Sequence, residues 1–580
     1  MKNTESTPDT IQGVRHQWQL KTPNHDLAKK IETALGLPTL VALILTIRHI
    51  TSPTQASDFL FSQLKNLHPP HHLPDLDKAV TRIVRALDEG EQIAIYGDYD
   101  VDGITATALL FHFLSTVDGE VRYHIPHRVK EGYGLNSEAL QRLHSQGITL
   151  VITVDCGSSD HEAIQLAAEL GIDVIVTDHH QPPDVLPAAS ALVNPKRSED
   201  TADLRNLAGV GVAFYLVAAL RAHFRSSGRW TISQQPNLRK YLDWVALGTL
   251  ADMVPLTATN RILTSIGLLE LSQTPSYGLG ALKEICGLGK GPVSDGDVLF
   301  RLGPRLNAPG RLASGDLSLR LLLSTDPVEA RNLARELEQL NRQRQLAEDK
   351  LLAEALYLIE TDDSLLESRS LVLASPGWHK GLLGLVASRL VERFSKPAIL
   401  LTQTYQHWEG SGRSLGGFDL CGALGRCKDH LVRFGGHRLA AGLGLKLEQL
   451  AGFRTAFEAI VQEEITQEEV TRTLSVDAMV HLEEITPGLV SYLEKMQPYG
   501  VGNPEPILCC RDFQVMNLRI LKGNHLQLRL RKGKAHFDAI GFNFVDSDQP
   551  PPSPEWLFFS PRWNHWQGER RIQLYLHDYK

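Results

Sequence analysis

Residues 93 to 103 read I-A-I-Y-G-D-Y-D-V-D-G, and residues 172 to 181 read I-D-V-I-V-T-D-H-H-Q. Each opens as a short apolar run of the kind that forms a buried strand, Ile93 to Tyr96 and Ile172 to Val176. Each then ends in side chains that seek metal. Asp98, Asp100 and Asp102 fall within five positions, and a bound cation is the usual offset for such repulsion. Carboxylate oxygens with one or two imidazoles suit Mn²⁺ or Mg²⁺ better than a structural zinc. That donor set implies metal-assisted phosphoester hydrolysis.

Outward from these two stretches, residues 88 to 195 alternate strand and helix. Strands are expected at 92–96, 121–125, 149–154, 172–176 and 191–193, with helices between them such as Ile104 to Ser115 and Asp160 to Leu170. Alternating units of this kind build a mostly parallel sheet covered by helices, with the ligand site beyond the carboxyl ends of the strands. The suspicious residues all sit there: Asp98, Asp100 and Asp102 after one strand, Asp155 after V-I-T-V, and Asp178, His179 and His180 after V-I-V-T. Three segments converging on one edge weigh more than any motif alone.

Residues 1 to 75 read as helical with loops. His68, His71 and His72 lie among prolines without carboxylates or thiolates at ligand spacing, which makes them a solvated loop. Residues 207 to 325 are richer in helix and contain A-L-G-T-L-A-D-M-V-P-L, with Asp252, and R-L-G-P-R-L-N-A-P-G-R at 301–311. A long helix follows, with Asp326 as N-cap, Pro327 in its first turn and Glu329 completing a capping box. It runs to about Ile359, and some 33 residues would span about 50 Å, enough to bridge two lobes. A second α/β unit is expected over 369–461, with strands near 370–374 and 398–402 and Gly- and Arg-rich turns at 410–414 and 434–442. After an acidic connector (Glu463, Glu464, Glu468, Glu469), short strands are expected at 473–480, 506–516, 525–531, 536–543, 556–560 and 571–577, with a helix near 485–495 and a rigid break at Pro550 to Pro552. That set suits a small barrel, with an OB-fold the first choice.

Composition sets the bounds. With 580 residues, 42% hydrophobic and 22% charged, the chain is an ordinary globular protein of several domains. No apolar run approaches the ~20 residues of a membrane span. The polar start does not read as a secretory signal, and six cysteines without regular spacing point to a reduced cytoplasmic location. The net charge of −8 argues against indiscriminate polyanion binding but leaves room for a local basic surface. Leu518 to Phe537 carries Arg519, Lys522, Arg529, Arg531, Lys532 and Lys534 with no acidic residue, and with His525 and Phe537 it suits a backbone-tracking, base-stacking surface for single-stranded nucleic acid.

D-Y-D-V-D-G, D-C-G, D-H-H, the later Asp252 and G-G-H-x-x-A-A-G, in that order, resemble the DHH phosphoesterase superfamily and within it the RecJ-like family. The resemblance implies a DHH-type parallel-sheet lobe (76–325), a connecting helix (326–361), a second α/β, DHH-associated lobe (362–462) and a C-terminal OB-like barrel (463–580) after an N-terminal segment (1–75). It implies a 5′→3′ single-stranded-DNA exonuclease of repair and recombination that uses two Mn²⁺ or Mg²⁺ ions and releases 5′-mononucleotides. A single-strand-binding protein and a helicase would be its partners. The family's metal ligands fall on Asp100, Asp102, Asp155, His179 and Asp252, with Asp155 bridging. Some relatives carry a His two residues before the first Asp of the loop; Tyr96 stands there, and Asp98 is the natural replacement. His180 is assigned to substrate phosphate. Gly435, Gly436 and His437 match a phosphate-contacting loop, Ser411 and Arg413 polar contacts to the strand end, and Arg305 and Arg311 a basic pocket for the terminal phosphate. His437 and Arg311 would stabilise charge on the reacting phosphate.

Plainer readings stand beside these. Aspartate-rich turns are often only solvated, Cys156 reads as strand-end filler, and Trp378 and His379 read as packing at a helix start. Two other functions compete: a phosphodiesterase for short oligonucleotides or cyclic dinucleotides, and a catalytically dead scaffold. The extra barrel disfavours the first, and the intact carboxylate set the second.

Overall fold

A computed structural model describes residues 10–117, 119–197, 204–465, 473–522, 524–544, 552–566 and 569–580. Glu468, Glu469, Pro550 and Pro551 lie outside the described residues. The chain divides into two compact units, Leu64–Val470 on the one hand and Met1–Gln63 with Thr471–Lys580 on the other.

In the Leu64–Val470 unit, β1 (Ile93–Gly97), β2 (Val121–His124), β3 (Leu150–Val154), β4 (Asp173–Thr177) and β5 (Ala191–Val193) form a parallel sheet in the order β2-β1-β3-β4-β5. Its central strands are buried along their whole length, as apolar runs between two helical layers must be. Side chains alternate between two cores. Ile93 and Ile95 enter one with helix α1 (Val101–Ser115), while Ala94 and Tyr96 enter the other with α2 (Ser137–Ser145) and α3 (His161–Glu169). Helices α4 (Gly209–Ser226) and α5 (Leu242–Ala251) pack on α1, which is why α1 is apolar almost all round. The strand order reverses between β1 and β3. A crevice therefore opens beyond their carboxyl ends.

Helix α6 (Gly303–Leu312) precedes the long helix α7 (Pro327–Glu360). The Asp326 carboxylate accepts from the Val328 and Glu329 amides, as an N-cap should. The expected capping box does not form, because Glu329 takes the Ser324 hydroxyl at 2.7 Å instead. Ala330, Leu333, Ala334 and Leu337 of α7 are buried in the core of the first lobe, and Leu351, Ala355 and Ile359 in that of the second. The helix is thus rooted at both ends.

The second lobe carries β6 (Leu371–Ala374), β7 (Ala398–Gln403), β8 (His407–Arg413), β9 (Arg433–His437) and β10 (Ala440–Lys446) in the order β9-β10-β8-β7-β6, with only β6 and β7 parallel. Helix α8 (Leu383–Phe394) packs on β7 and β8. Two glycine-rich stretches expected as turns prove to be strands, since G-S-G-R lies in β8 and F-G-G-H in β9. Their glycines allow close strand packing: a Cβ on Gly410 would meet Leu401 at 2.5 Å.

In the other unit, seven strands run in the order 478–479, 508–510, 557–566, 569–579, 535–541, 525–532, 514–521. The expected strand 506–516 is divided at Asp512, whose φ of 64° turns the chain. The N-terminal segment is not only helix and loop: Thr10–Gln12 and Gln17–Leu20 form a small sheet with Thr473–Val476. Helices His25–Leu35 and Thr39–Ile47 share a core with the C-terminal strands. Trp378 is packed, donating to Glu354 at 2.9 Å, and Cys156 is buried in a core, as expected of both.

Candidate metal centre

Each donor is placed by a local device. Asp98 follows β1 and is buried. Asp100 caps α1, its Oδ1 accepting from the Asp102 and Gly103 amides at 3.0 and 3.1 Å. Asp102, 1% exposed, turns inward and accepts from Gly209 N at 2.6 Å and Val210 N at 2.8 Å. Those amides are the free N-terminus of α4, which favours negative charge. Two glycines permit this crowding, because a Cβ on Gly103 would lie 2.7 Å from Asp98 Cα, and one on Gly209 2.7 Å from Asp155 Cβ. Asp155 follows β3 in the left-handed conformation, φ 64°, a strain tolerated at functional turns. Asp252 follows α5 at its C-cap.

These groups meet. His179 Nε2 lies 3.1 Å from Asp155 Oδ1, 3.5 Å from Asp252 Oδ2 and 3.8 Å from Asp102 Oδ2. Three donor groupings have ligand atoms within 4.8 Å of one another: Asp98 with Asp100 and Asp155; Asp102 with His179 and Asp252; and Asp155 with His179 and His180. Asp98 Oδ1, Asp155 Oδ1, Asp252 Oδ2 and both His179 nitrogens are buried without a hydrogen-bond partner. Native proteins rarely leave such atoms unsatisfied. Hard oxygens and a neutral imidazole are the donors a Mn²⁺ or Mg²⁺ pair requires, so the residues fit the ions.

The electrostatics agree. Burial first, and then the neighbouring carboxylates, push Asp98 and Asp155 well above the usual carboxylate range, Asp102 up to about 7 and Asp252 up to about 9. Burial and the charge of His180 hold His179 down to about 3, so it stays neutral and able to ligate. Asp178, the first residue of D-H-H, serves the loop. It accepts from Ser158 N, His179 N, His180 N and, at 2.8 Å, His180 Nδ1. Burial would lower His180, but Asp178 outweighs it and raises the imidazole. The Tyr133 hydroxyl also lies 3.0 Å from His180 Nδ1 and donates to the Asp155 carbonyl.

The second lobe contributes His437, whose ring stacks 6.4 Å from His180. Gly435, Gly436 and His437 lie on the exposed edge strand β9, where Gly436 has φ 144° and a Cβ would meet the Ala440 carbonyl at 2.4 Å. Arg311, at the end of α6, donates to the Gly381 carbonyl at 3.3 Å. Burial, and then Arg128, Arg344 and Arg413, push its guanidinium down to about 9. Arg413 donates to Ser411 Oγ at 3.1 Å, and Gly384 leaves them room. Such clustered, desolvated arginines favour a bound anion. Arg305 is otherwise engaged: it pairs with Glu338 at 2.6 Å and donates to the Arg301 carbonyl.

Sequence reasoning missed Arg128, whose guanidinium stacks over Tyr99 at 5.0 Å, and Tyr133. It also missed Asn307, whose Oδ1 accepts from Val101 N at 3.1 Å and braces the aspartate loop. Of these, Asn307 carried a signal, lying within R-L-G-P-R-L-N-A-P-G-R. In the other unit, Arg519, Arg529 and Arg531 are exposed on strands whose Leu526, Leu528 and Leu530 are buried, which makes one face basic. Arg529 pairs with Asp538 across strands.

Residues 92–249 match the DHH family N-terminal domain, 367–463 the DHHA1 domain and 476–578 the RecJ OB domain. The single-stranded-DNA-specific exonuclease RecJ of Dickeya dadantii is 39% identical over 87% of this chain and 90% of its own length. That of Escherichia coli is 35% identical over 94% and 97% respectively. The crystal structure of RecJ in complex with Mn²⁺ from Thermus thermophilus superposes with a TM-score of 0.82 at 30% identity, covering 97% of this chain and 78% of that one. The fold is therefore a DHH-type parallel-sheet lobe joined by a long helix to a DHH-associated α/β lobe, with a C-terminal OB domain. By its three domains and its likeness to these relatives, the chain belongs to the RecJ family.

Proposed function

We propose that this protein is a two-metal exodeoxyribonuclease that degrades single-stranded DNA from the 5′ end to 5′-mononucleotides. The observation that carries this reading is the buried set of unsatisfied donors shared by Asp98, Asp155, His179 and Asp252. Asp98, Asp100 and Asp155 would hold one Mn²⁺ or Mg²⁺ ion and Asp102, His179 and Asp252 the other, with Asp155 between them. Bound ions supply a hydroxide-like nucleophile at neutral pH and neutralise charge on the phosphate.

The chain's own groups do the rest. Asp178 and Tyr133 fix His180, and His180 and His437 present N–H donors to the phosphate from two lobes. Arg311, Arg413 and Ser411 receive the terminal phosphate, with Arg128 beside them. Arg305 supports this pocket from its ion pair with α7. Gly435 and Gly436 let the β9 backbone approach a phosphate closely. The basic strand face of the OB domain tracks the backbone of any sequence.

Unwound DNA is the substrate, so a helicase and a single-strand-binding protein are the fitting partners, in repair and recombination. Among the described residues no helix is long and apolar enough to cross a membrane; the six free cysteines suit a reducing, cytoplasmic setting.

Single- and double-stranded DNA labelled at either end, incubated with Mn²⁺, tests the proposal. Mononucleotides should appear first from a 5′ label, with duplex intact. Release from the 3′ label first, or internal cuts, would overturn it. A substrate confined to dinucleotides would favour the oligonucleotide phosphodiesterase.

A further inference from the structure

Cations flank the carboxylate cluster on two sides. The charge of Arg128 acts on Asp98 and that of Asp100 on Arg311, with Arg413 beside Arg311, whereas the charge of Lys196 acts on Asp252 and Asp178. Lys196 follows β5 in the short turn Pro195–Arg197, on the same sheet edge as Asp178, whose amide donates to the Val193 carbonyl. Asn194, fully buried, ties that turn to the site. Its Oδ1 accepts from Lys196 N at 2.9 Å, and its Nδ2 donates to the His180 carbonyl at 2.9 Å and to Ser158 Oγ at 2.9 Å.

The next residue makes a useful contrast. Arg197 is neutralised by Asp75 at 2.6 Å. Lys196 is only partly exposed and has no carboxylate within ion-pair distance among the described residues. Its charge nevertheless reaches His179 and His437, and burial holds its own pKa down. A half-desolvated ammonium that makes no ion pair among the described residues gains from an arriving anion. A strand with its terminal phosphate at the arginines and its scissile phosphate over the carboxylates would run on towards Asp252.

We propose that Lys196 binds the first phosphate beyond the scissile one, a subsite that grips the strand retained after each cut. This rests on the exonuclease reading. In that reaction the water oxygen bonds to phosphorus and the P–O3′ bond breaks. The terminal nucleotide leaves with a 3′-hydroxyl, and the cleaved phosphate becomes the 5′-phosphate of the retained strand.

A 5′-phosphorylated dinucleotide carries a terminal and a scissile phosphate; the trinucleotide adds the one assigned to Lys196. Lys196→Ala should raise KM for the trinucleotide about tenfold and leave the dinucleotide unchanged. Lys196→Arg should restore the wild-type value. A trinucleotide with a neutral methylphosphonate at the added position should weaken the wild type by the same factor and abolish its difference from Lys196→Ala. Mn²⁺ affinity of Lys196→Ala measured without substrate should not fall below the wild type. Equal losses on both substrates, or no loss on either, would overturn the subsite while leaving the exonuclease reading standing. Wild-type protein that cleaves neither would overturn that reading and the subsite with it.

Discussion

Adding a single methyl group at Gly209 should damage the metal centre without removing any ligand. The Cβ of Gly209→Ala would stand 2.7 Å from Asp155 Cβ and 2.9 Å from its Oδ1. Carbon atoms rest about 3.5–4.0 Å apart, so one partner must retreat by roughly 1 Å. Asp155 is held in the left-handed conformation, with its amide donating to the Thr177 carbonyl at 3.0 Å. The start of α4 cannot retreat without stretching the hydrogen bonds of 2.6 and 2.8 Å that its amides donate to Asp102. Hydrogen bonds to charged groups contribute about 1.5–3 kcal/mol each. Overpacking of this kind typically costs about 1–3 kcal/mol of stability, and displaced ligands lose about 10–100-fold in metal affinity. Calorimetric titration with Mn²⁺ reads the affinity, and thermal unfolding reads the stability. Gly280→Ala is the control, since nothing lies within 4 Å of its added Cβ; it should leave affinity alone and stabilise its helix by about 0.5–1 kcal/mol. Wild-type Mn²⁺ affinity in Gly209→Ala would refute the claim that this helix terminus and Asp155 are set by contact.

Asp155→Ala should abolish Mn²⁺-dependent hydrolysis and leave the far-ultraviolet circular dichroism intact; residual activity near wild type would discard the shared-ligand arrangement. Arg311→Ala should erase any preference for a 5′-phosphate over a 5′-hydroxyl end, by about tenfold or more in kcat/KM. Arg305→Ala, which breaks the pair with Glu338, should lower the thermal midpoint more than it affects that preference. Burial and like charge raise Asp102 from 3.8 to about 7 and Asp252 to about 9, so the folded, metal-free protein holds protons that the unfolded chain releases. Stability from these groups is complete below about pH 4 and falls as pH climbs through 7 to 9; a metal-free midpoint that stays flat from pH 5 to 8 would contradict this. A fragment spanning residues 64–470 should cleave short oligonucleotides yet bind long single strands less tightly than the whole chain, as native gel shifts would report.

The parallel sheet was legible because its strands are short apolar runs ending in charged turns, and one edge collects every carboxyl end. The candidate metal donors stood out for the same reason: Asp98, Asp100, Asp102, Asp155 and His179 all fall within the first few residues after a strand. Asp252 is different. It ends a helix, and nothing local distinguishes it from an ordinary cap. Arg128 and Tyr133 follow β2 in a loop with no motif, so their place near the site depends on tertiary packing alone. The glycine-rich stretches of β8 and β9 read as turns because glycine usually marks them, whereas here it serves strand contact. The pairing of Gln17–Leu20 with Thr473–Val476 joins residues more than 450 positions apart, and no local pattern announces it.

Among the described residues all three donor groupings draw only on residues 98 to 252, so on the proposed reading metal affinity would be set within the first lobe. Everything that aims those donors is also in that lobe or in α6: the α1 cap, the α4 amides, the left-handed turn at Asp155 and Asn307. The second lobe supplies His437, Ser411 and Arg413, which on the proposed reading would attract a phosphate but cannot complete the carboxylate set. Burial and like charge favour protonated carboxylates in the metal-free centre, and a bound cation would displace those protons. On this reading metal loading and strand binding would be separable steps. Damage to β8 or β9 should show first as weaker handling of the strand, and damage around α4 first as weaker retention of the ions.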